Sequence, residues 1–282
     1  MSVQMIGEKL RTYACRSQKE EHQALREITQ EVMLASLGRT DFFTHALFHG
    51  GTCLRIFHGL NRFSEDLDFM LNRPDPDFSL DPYLETIRSE CLAYGYQAES
   101  ARPQSFAKTV HKAMLKDTAL IRNLRLHYLG RDSRPAAIKI KIEVDTRPPA
   151  GSGHEIRYLD FPFVSMAALQ DLPSLFAGKI HSLLCRPYAK GRDWYDFLWY
   201  TAQRALINTT FLSAALDQQG PWQGKGLQVD REWCLRELAA KITQLDWPAV
   251  AGDVRPFVRE HEQPSLRLWN RDLFLEQLKK IG

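Results

Sequence analysis

The sequence predicts an α+β fold: an opening helical stretch, a mixed α/β centre and a helical second half. Three observations carry this. Residues 5–38 place Leu25, Ile28, Val32, Met33 and Leu37 at helical spacing. The run Ile138-Lys139-Ile140-Lys141-Ile142-Glu143-Val144-Asp145 alternates apolar and charged side chains, as a strand with one buried face does. From about residue 165 onward the periodicity is helical. A boundary near 160 divides the chain into an α+β domain, 1–160, and a mainly helical domain, 161–282.

In chain order, one or two helices end at Gly38. Residues 45–51 form a short apolar stretch entering a Gly-Gly turn, and Thr52–Gly59 follows as a helix. Ser64–Leu71 alternates as a strand, with Asp66 and Asp68 on one side and Leu67 and Phe69 on the other. Asn72–Pro82 is a Pro- and Asp-rich loop and Leu84–Tyr94 a helix. Leu120–Leu129 and Ala136–Thr146 are expected strands, and Pro148–Gly153 is a linker. The expected helices of the second half are Ser165–Gln170, Leu175–Cys185, Arg192–Ala205, Glu232–Leu245 and Arg271–Ile281.

With 282 residues, 44% hydrophobic, 25% charged and a net charge of +3, the composition is that of a globular protein able to build a core. The basic charge is local: between Arg102 and Arg147 there are 11 Lys/Arg against 4 Asp/Glu, an excess suited to phosphates or to a solvated surface. The five cysteines are scattered with no Cys-x-x-Cys, which argues against a disulfide framework or structural zinc and for a reducing cytoplasm. The start of the chain has no secretory h-region, and no apolar run suffices to cross a membrane.

Four constellations can carry chemistry. Asp66 and Asp68, at i and i+2 of a strand, point together. Two such carboxylates repel unless a cation sits between them, and hard divalent ions such as magnesium favour these oxygen ligands. Alone, the pair also fits an exposed acidic strand face. Gly50-Gly51-Thr52, fourteen residues upstream, lets backbone N–H groups approach a phosphate at a helix start, or is simply a tight turn. Glu143 and Asp145 share the charged face of their strand with Lys139 and Lys141. A third carboxylate there would complete a two-metal cage with ions about 3.5–4 Å apart. Lys179, Arg186 and Lys190-Gly191-Arg192-Asp193-Trp194-Tyr195-Asp196 form the fourth: Asp193 and Asp196 are neighbours on one helix face, and Lys179 and Arg192 suit a departing pyrophosphate or a structural salt-bridge set. His45 and His49 are four apart but have no third soft ligand, and the structural reading fits them better. Serine-hydrolase and P-loop motifs are absent.

Taken together, Gly50-Gly51-Thr52, Arg62-Phe63-Ser64-Glu65-Asp66-Leu67-Asp68, Glu143, Lys179 and Arg192-Asp193-Trp194-Tyr195-Asp196 resemble the AbiE-type toxin family of AbiEii/AbiGii-like nucleotidyltransferases, MenT toxins included, over residues 45–200. The resemblance implies a polymerase β-like nucleotidyltransferase fold with a mixed sheet flanked by helices and a helical C-terminal lobe. It implies Asp66, Asp68 and Glu143 (or Asp145) as ligands of two Mg²⁺ ions, with Lys179 and Asp196 also in the catalytic set. Gly50, Gly51, Thr52, Arg55, Arg62, Ser64, Lys179, Arg192 and Asp193 would bind the NTP. The implied reaction is transfer of a nucleoside monophosphate to the 3′ end of tRNA, blocking translation, with a cognate antitoxin protein as second partner. The basic stretch Lys108–Arg134, including Lys112, Lys116 and Arg122, is the candidate tRNA grip. Nucleotidylation of a protein or small-molecule hydroxyl, or RNA and antitoxin binding without catalysis, are the alternatives.

Overall fold

The structure, a computed structural model, describes residues 2–97, 99–101, 110–117 and 137–282. The chain divides into two compact units: Met1–His58, Phe63–Pro148 and Ile156–Leu169 form the first, and Gly59–Arg62, Pro149–Glu155 and Gln170–Gly282 the second.

The first unit begins with helices α1 (Ser2–Thr12) and α2 (Gln18–Leu37). Ser17 caps α2 by accepting the Glu20 N–H, while the Glu20 carboxylate accepts from Arg16 N at 2.9 Å, so both start-of-helix donors are satisfied. The short helix α3 (Phe42–His45) runs into strand β1 (Ala46–His49), and helix α4 (Gly50–His58) follows without an intervening loop. Strand β2 is Leu67–Leu71 and helix α5 is Asp81–Ala93. The remaining strands are β3 (Glu99–Ala101), β4 (Val110–Asp117), β5 (Ile138–Asp145), β6 (His154–Leu159) and β7 (Ser165–Gln170).

Among the described residues these strands form one mixed sheet in the order β3-β4-β5-β2-β1-β7-β6. β2 runs antiparallel to β1 and parallel to β5, and β5 runs antiparallel to β4. The buried side of β1 and β2 packs as an aromatic cluster, with Phe69 centred 4.9 Å from Phe42 and 5.1 Å from Phe48 in edge-on and tilted arrangements. The α+β expectation with a mixed sheet therefore holds.

Several elements differ from the sequence reading. Ser165–Gln170 is a strand, not a helix. It pairs parallel to β1 through Phe48 and Leu169 and is buried at nearly every position, so the alternation that marks a one-sided strand is lost. β2 begins at Leu67, so Asp66 precedes the strand rather than lying in it. β3, β4 and β6 escaped the periodicity, as did helices Thr209–Gln218 and Trp247–Val254. The expected strand Leu120–Leu129, and Lys108 and Arg122 of the basic stretch, lie outside the described residues.

The second unit is built mainly from helices α6 (Leu172–Cys185), α7 (Gly191–Ala202), α8 (Thr209–Gln218), α9 (Arg231–Thr243), α10 (Trp247–Val254) and α11 (Arg271–Leu278). Asp171, Asn208, Asp230, Asp246 and Asn270 cap five of them by accepting a backbone N–H two residues into the helix. Its core is aromatic: Trp247 stacks on Phe274 at 3.8 Å, and Trp194 meets Trp247 edge-on at 5.3 Å.

Candidate active site

The candidate residues fall in both units. In the first, Gly50 is the hinge between β1 and α4. Its φ is +80°, a conformation that side-chain-bearing residues avoid. A Cβ there would lie 2.6 Å from Asp68 Oδ2. The left-handed turn thus brings the start of α4 directly against the Asp68 carboxylate, where the helix dipole and backbone N–H groups favour negative charge. Gly51 and Thr52 continue the first turn. Thr52 is wholly buried, and its hydroxyl donates to the Asp66 carbonyl, tying α4 to the segment before β2. Residue 52 thus serves Asp66 with its side chain; its backbone remains the group able to meet a phosphate.

Register fixes the neighbours of Asp68. It stands opposite His49 on β1 and opposite Glu143 on β5, and Glu143 in turn stands opposite Lys112 on β4. Directly opposed residues share a face of the sheet, so His49, Asp68, Glu143 and Lys112 make one row. Asp145 stands opposite Met70 instead, and its carboxylate accepts the Arg147 N–H at 2.8 Å. The alternation of β5 left Glu143 and Asp145 equal; the pairing with β2 makes Glu143 the lateral neighbour of Asp68. His45 ends α3 while His49 ends β1, so the two do not share a helix.

Glu143 carries two lysines, a feature that single-strand periodicity did not reveal. Its Oε1 accepts from Lys112 Nζ at 2.9 Å and Lys141 Nζ at 2.8 Å. Partial burial works against its charge, but these bonds outweigh it and hold the carboxyl below the usual glutamate range. Lys141 responds in the opposite sense. Burial disfavours its charge, yet Glu143, then Asp66 and Asp68, raise its pKa above the usual lysine value. One ammonium therefore sits in the field of all three carboxylates. Among the described residues no three His, Cys, Asp or Glu side chains converge as a metal cage. The oxygen donors of Asp66 and Asp68 fit a hard divalent ion, whereas Glu143 is committed to Lys112 and Lys141.

Arg55 and Ser64 are held by α2. Arg55 Nε bonds Glu27 Oε2 at 2.8 Å, its guanidinium lies 4.8 Å from the centre of the Phe63 ring, and Ser64 O accepts from Gln30 Nε2 at 3.4 Å.

In the second unit, Arg62, Lys179, Asp193 and Asp196 form one buried cluster, with the half-exposed Arg186 at its edge. Arg62 grips Asp196 with two parallel bonds, Nε to Oδ1 at 2.7 Å and an Nη to Oδ2 at 2.6 Å. Lys179 Nζ, projecting from α6, lies 2.6 Å from Asp193 Oδ1 and 2.8 Å from Asp196 Oδ2 on α7. Arg186 Nε reaches Asp193 Oδ2 at 3.2 Å. Burial presses Lys179 toward neutrality, but Asp193 and Asp196 prevail and its pKa stands above the usual value; Asp193, likewise opposed by burial, is held down chiefly by Lys179. Lys190 is lowered, first by burial and then by Arg192. Arg192 lies over the Phe257 ring at 4.1 Å. The i, i+3 spacing of Asp193 and Asp196 anticipated their shared face, but not that Arg62 would be their partner.

The family model described as "Nucleotidyl transferase AbiEii toxin, Type IV TA system" matches residues 32–276. No curated protein matches. Among solved structures, JHP933 from Helicobacter pylori superposes with a TM-score of 0.51 at 15% identity, covering 94% of this chain and 95% of that one. The nucleotidyltransferase toxin MenT4 from Mycobacterium tuberculosis H37Rv gives a TM-score of 0.51 at 16% identity, covering 100% of this chain and 99% of that one. At such identities the likeness is one of fold.

Proposed function

Because this chain belongs to the AbiEii family of nucleotidyl transferase toxins, we propose that it transfers a nucleoside monophosphate from an NTP to the 3′ end of tRNA, with Asp66 and Asp68 as the catalytic pair. The observation that carries the reading is the seat of Asp68 against Gly50 at the start of α4, with Asp66 tied to the same helix through Thr52. The backbone proposed for phosphate and the carboxylates proposed for metal thus lie against each other.

Asp66 and Asp68 would hold Mg²⁺, two ions in the fully loaded site, with Glu143 joining if the ions replace Lys112 and Lys141 as its partners. The ions would supply Lewis-acid stabilisation of the attacking and leaving oxygens. The chain's own groups do the rest. Gly50 and Gly51 present backbone to the phosphates, with Thr52 and Ser64 beside them. From the family, Lys179 and Arg192 are assigned to the triphosphate; within the second unit Asp193 and Asp196 hold Lys179 charged and Asp196 anchors Arg62, and within the first Glu27 anchors Arg55. An acceptor hydroxyl attacks the α-phosphate as pyrophosphate leaves.

The acceptor reading draws on the face of β4 and β5. Lys112, Lys116, Lys139 and Lys141 stand on the same side of the sheet as Glu143 and Asp68, because Lys116 opposes Lys139 and Lys112 opposes Glu143. Like charges directly opposite weaken a sheet, so a polyanion crossing this face has something to neutralise. A cognate antitoxin and a cytoplasmic setting complete the proposal; among the described residues no helix is long and apolar enough to cross a membrane.

Incubating the chain with each labelled NTP, Mg²⁺ and either total RNA or mixed protein separates the acceptors. Label on the tRNA 3′ end that disappears with Asp68→Asn is expected. Label on protein or a small molecule, or transfer that survives Asp68→Asn, overturns the reading.

A further inference from the structure

Helix α2 has a second buried stripe, and it is polar. Gln23, Arg26, Glu27, Gln30 and Glu31 fall at i, i+3, i+4, i+7 and i+8, one face of a helix. Gln30 is 1% exposed and Glu27 7%. Burying such groups is unfavourable unless each finds a partner. Glu27 and Glu31 accept from Tyr13 of α1, and Glu31 pairs with Lys9 at 3.0 Å, whereas Arg26, Gln30 and the second bond of Glu27 are directed at the segment that leads into Asp66 and at Arg55 beside it. An Arg26 Nη bonds Glu65 Oε1 at 2.8 Å, Gln30 Nε2 reaches Ser64 O at 3.4 Å, and Glu27 fixes Arg55, whose guanidinium covers Phe63.

The two aspartates differ in how they are held. Asp68 lies inside β2 and is gripped by ladder partners on both sides. Asp66 precedes Leu67, the first residue in register with β5, so the sheet ladder does not set it. Its carbonyl is held by Thr52 from α4, and residues 63–65, which lead into it, are fixed by α2.

We infer that the polar stripe of α2 is the positioning platform for Asp66. Arg26, Glu27 and Gln30 act through Phe63, Ser64 and Glu65 and touch no substrate. This rests on the reading of Asp66 and Asp68 as the catalytic pair. Because Arg26 acts through Glu65, removing either side chain has the same effect, and removing both adds nothing.

The test uses the full chain. Gln30→Leu, Arg26→Ala, Arg26→Lys, Glu65→Ala and the Arg26→Ala/Glu65→Ala double variant are compared with Arg39→Ala, which breaks the Arg39–Glu90 pair elsewhere on the first unit. Transfer kinetics, melting temperature and Mn²⁺ affinity by calorimetry without NTP are measured on each. The expected result is a tenfold or larger fall in kcat for Gln30→Leu and Arg26→Ala with KM for NTP unchanged. Mn²⁺ binding weakens several-fold, Arg26→Lys recovers part of both, the double variant matches the singles, and Arg39→Ala changes melting temperature alone. The platform is overturned if folded Gln30→Leu and Arg26→Ala keep wild-type kcat and Mn²⁺ affinity, or if Arg26→Ala and Glu65→Ala multiply independently. Asp66→Asn separates this from failure of the underlying reading: full kcat in that variant removes the catalytic pair itself, whereas a dead Asp66→Asn beside active α2 variants removes only the platform.

Discussion

Asp68 occupies the space that a side chain on residue 50 would need: a Cβ built on Gly50 would lie 2.6 Å from Asp68 Oδ2, in a backbone conformation of φ +80°. Both constraints point to glycine, and they bear on different properties. The positive φ costs alanine about 1–2 kcal/mol of stability. The clash displaces a carboxylate that the chemistry needs in place. Gly50→Ala is therefore expected to remain folded, with a melting temperature lowered by a few degrees, while transfer falls by about 100-fold, the scale on which small misplacements cost rate. A stable Gly50→Ala protein with wild-type transfer would show that Asp68 can move without consequence.

The row His49–Asp68–Glu143–Lys112 gives a second prediction, because it distinguishes two acids on one strand. Glu143→Gln removes the group beside Asp68 and releases Lys112 and Lys141, and transfer should drop about 10–100-fold, the usual effect of losing a group that supports a metal site. Asp145→Asn alters a side chain opposite Met70 whose carboxylate bonds Arg147 N, and transfer should stay close to wild type. Reversed results in the same steady-state assay would make Asp145 the functional acid.

Those two predictions also mark where the sequence was legible. Strict alternation disclosed β5, and helical spacing disclosed α2, α6 and α7, because each gathers its apolar side chains along one side, even where α2 buries its polar side as well. β7 is buried on both faces and carried no such signal. Asp66 and Asp68 were identified by type and spacing, yet their different supports, a loop for one and a ladder for the other, depend on where β5 and α2 pair with β2 and its approach. That Glu143, and not Asp145, stands beside Asp68 needed the parallel register. The partnership of Arg62 with Asp196 spans 134 positions, a separation at which local pattern says nothing.

That pair supplies a third prediction. Arg62 and Asp196 are almost fully buried, with side-chain exposures of 3% and 0%. Removing one partner leaves the other as an uncompensated buried charge, which costs about 3–5 kcal/mol. Asp196→Ala should therefore lower the urea midpoint sharply, followed by tryptophan fluorescence. Replacing the pair together, as Arg62→Met with Asp196→Leu, should recover part of the loss, since no lone guanidinium remains, although Lys179 still loses one of its two carboxylates. A double variant no better than Asp196→Ala would mean that the ion pair contributes little beyond packing.

The pH dependence of stability follows from Asp193. Burial opposes its charge, but Lys179, then Arg186 and Lys190, hold its folded-state pKa below the ordinary 3.8. A depressed carboxylate stabilises the fold above its unfolded pKa and loses that contribution as pH falls through the folded value. Lys179 works in the other direction: its raised pKa contributes below the ordinary 10.5 and is lost only as pH rises beyond the folded value. Between these limits the cluster should give a flat stability profile, and below about pH 4 the wild type should weaken. Asp193→Asn lacks the titrating group. It should be less stable than wild type at pH 7, and the gap should close as the pH is lowered through the acid range. Urea midpoints at pH 7, 5, 4 and 3 measure this gap, and a gap that stays constant to pH 3 would show that Asp193 is not the group whose charge the cluster stabilises.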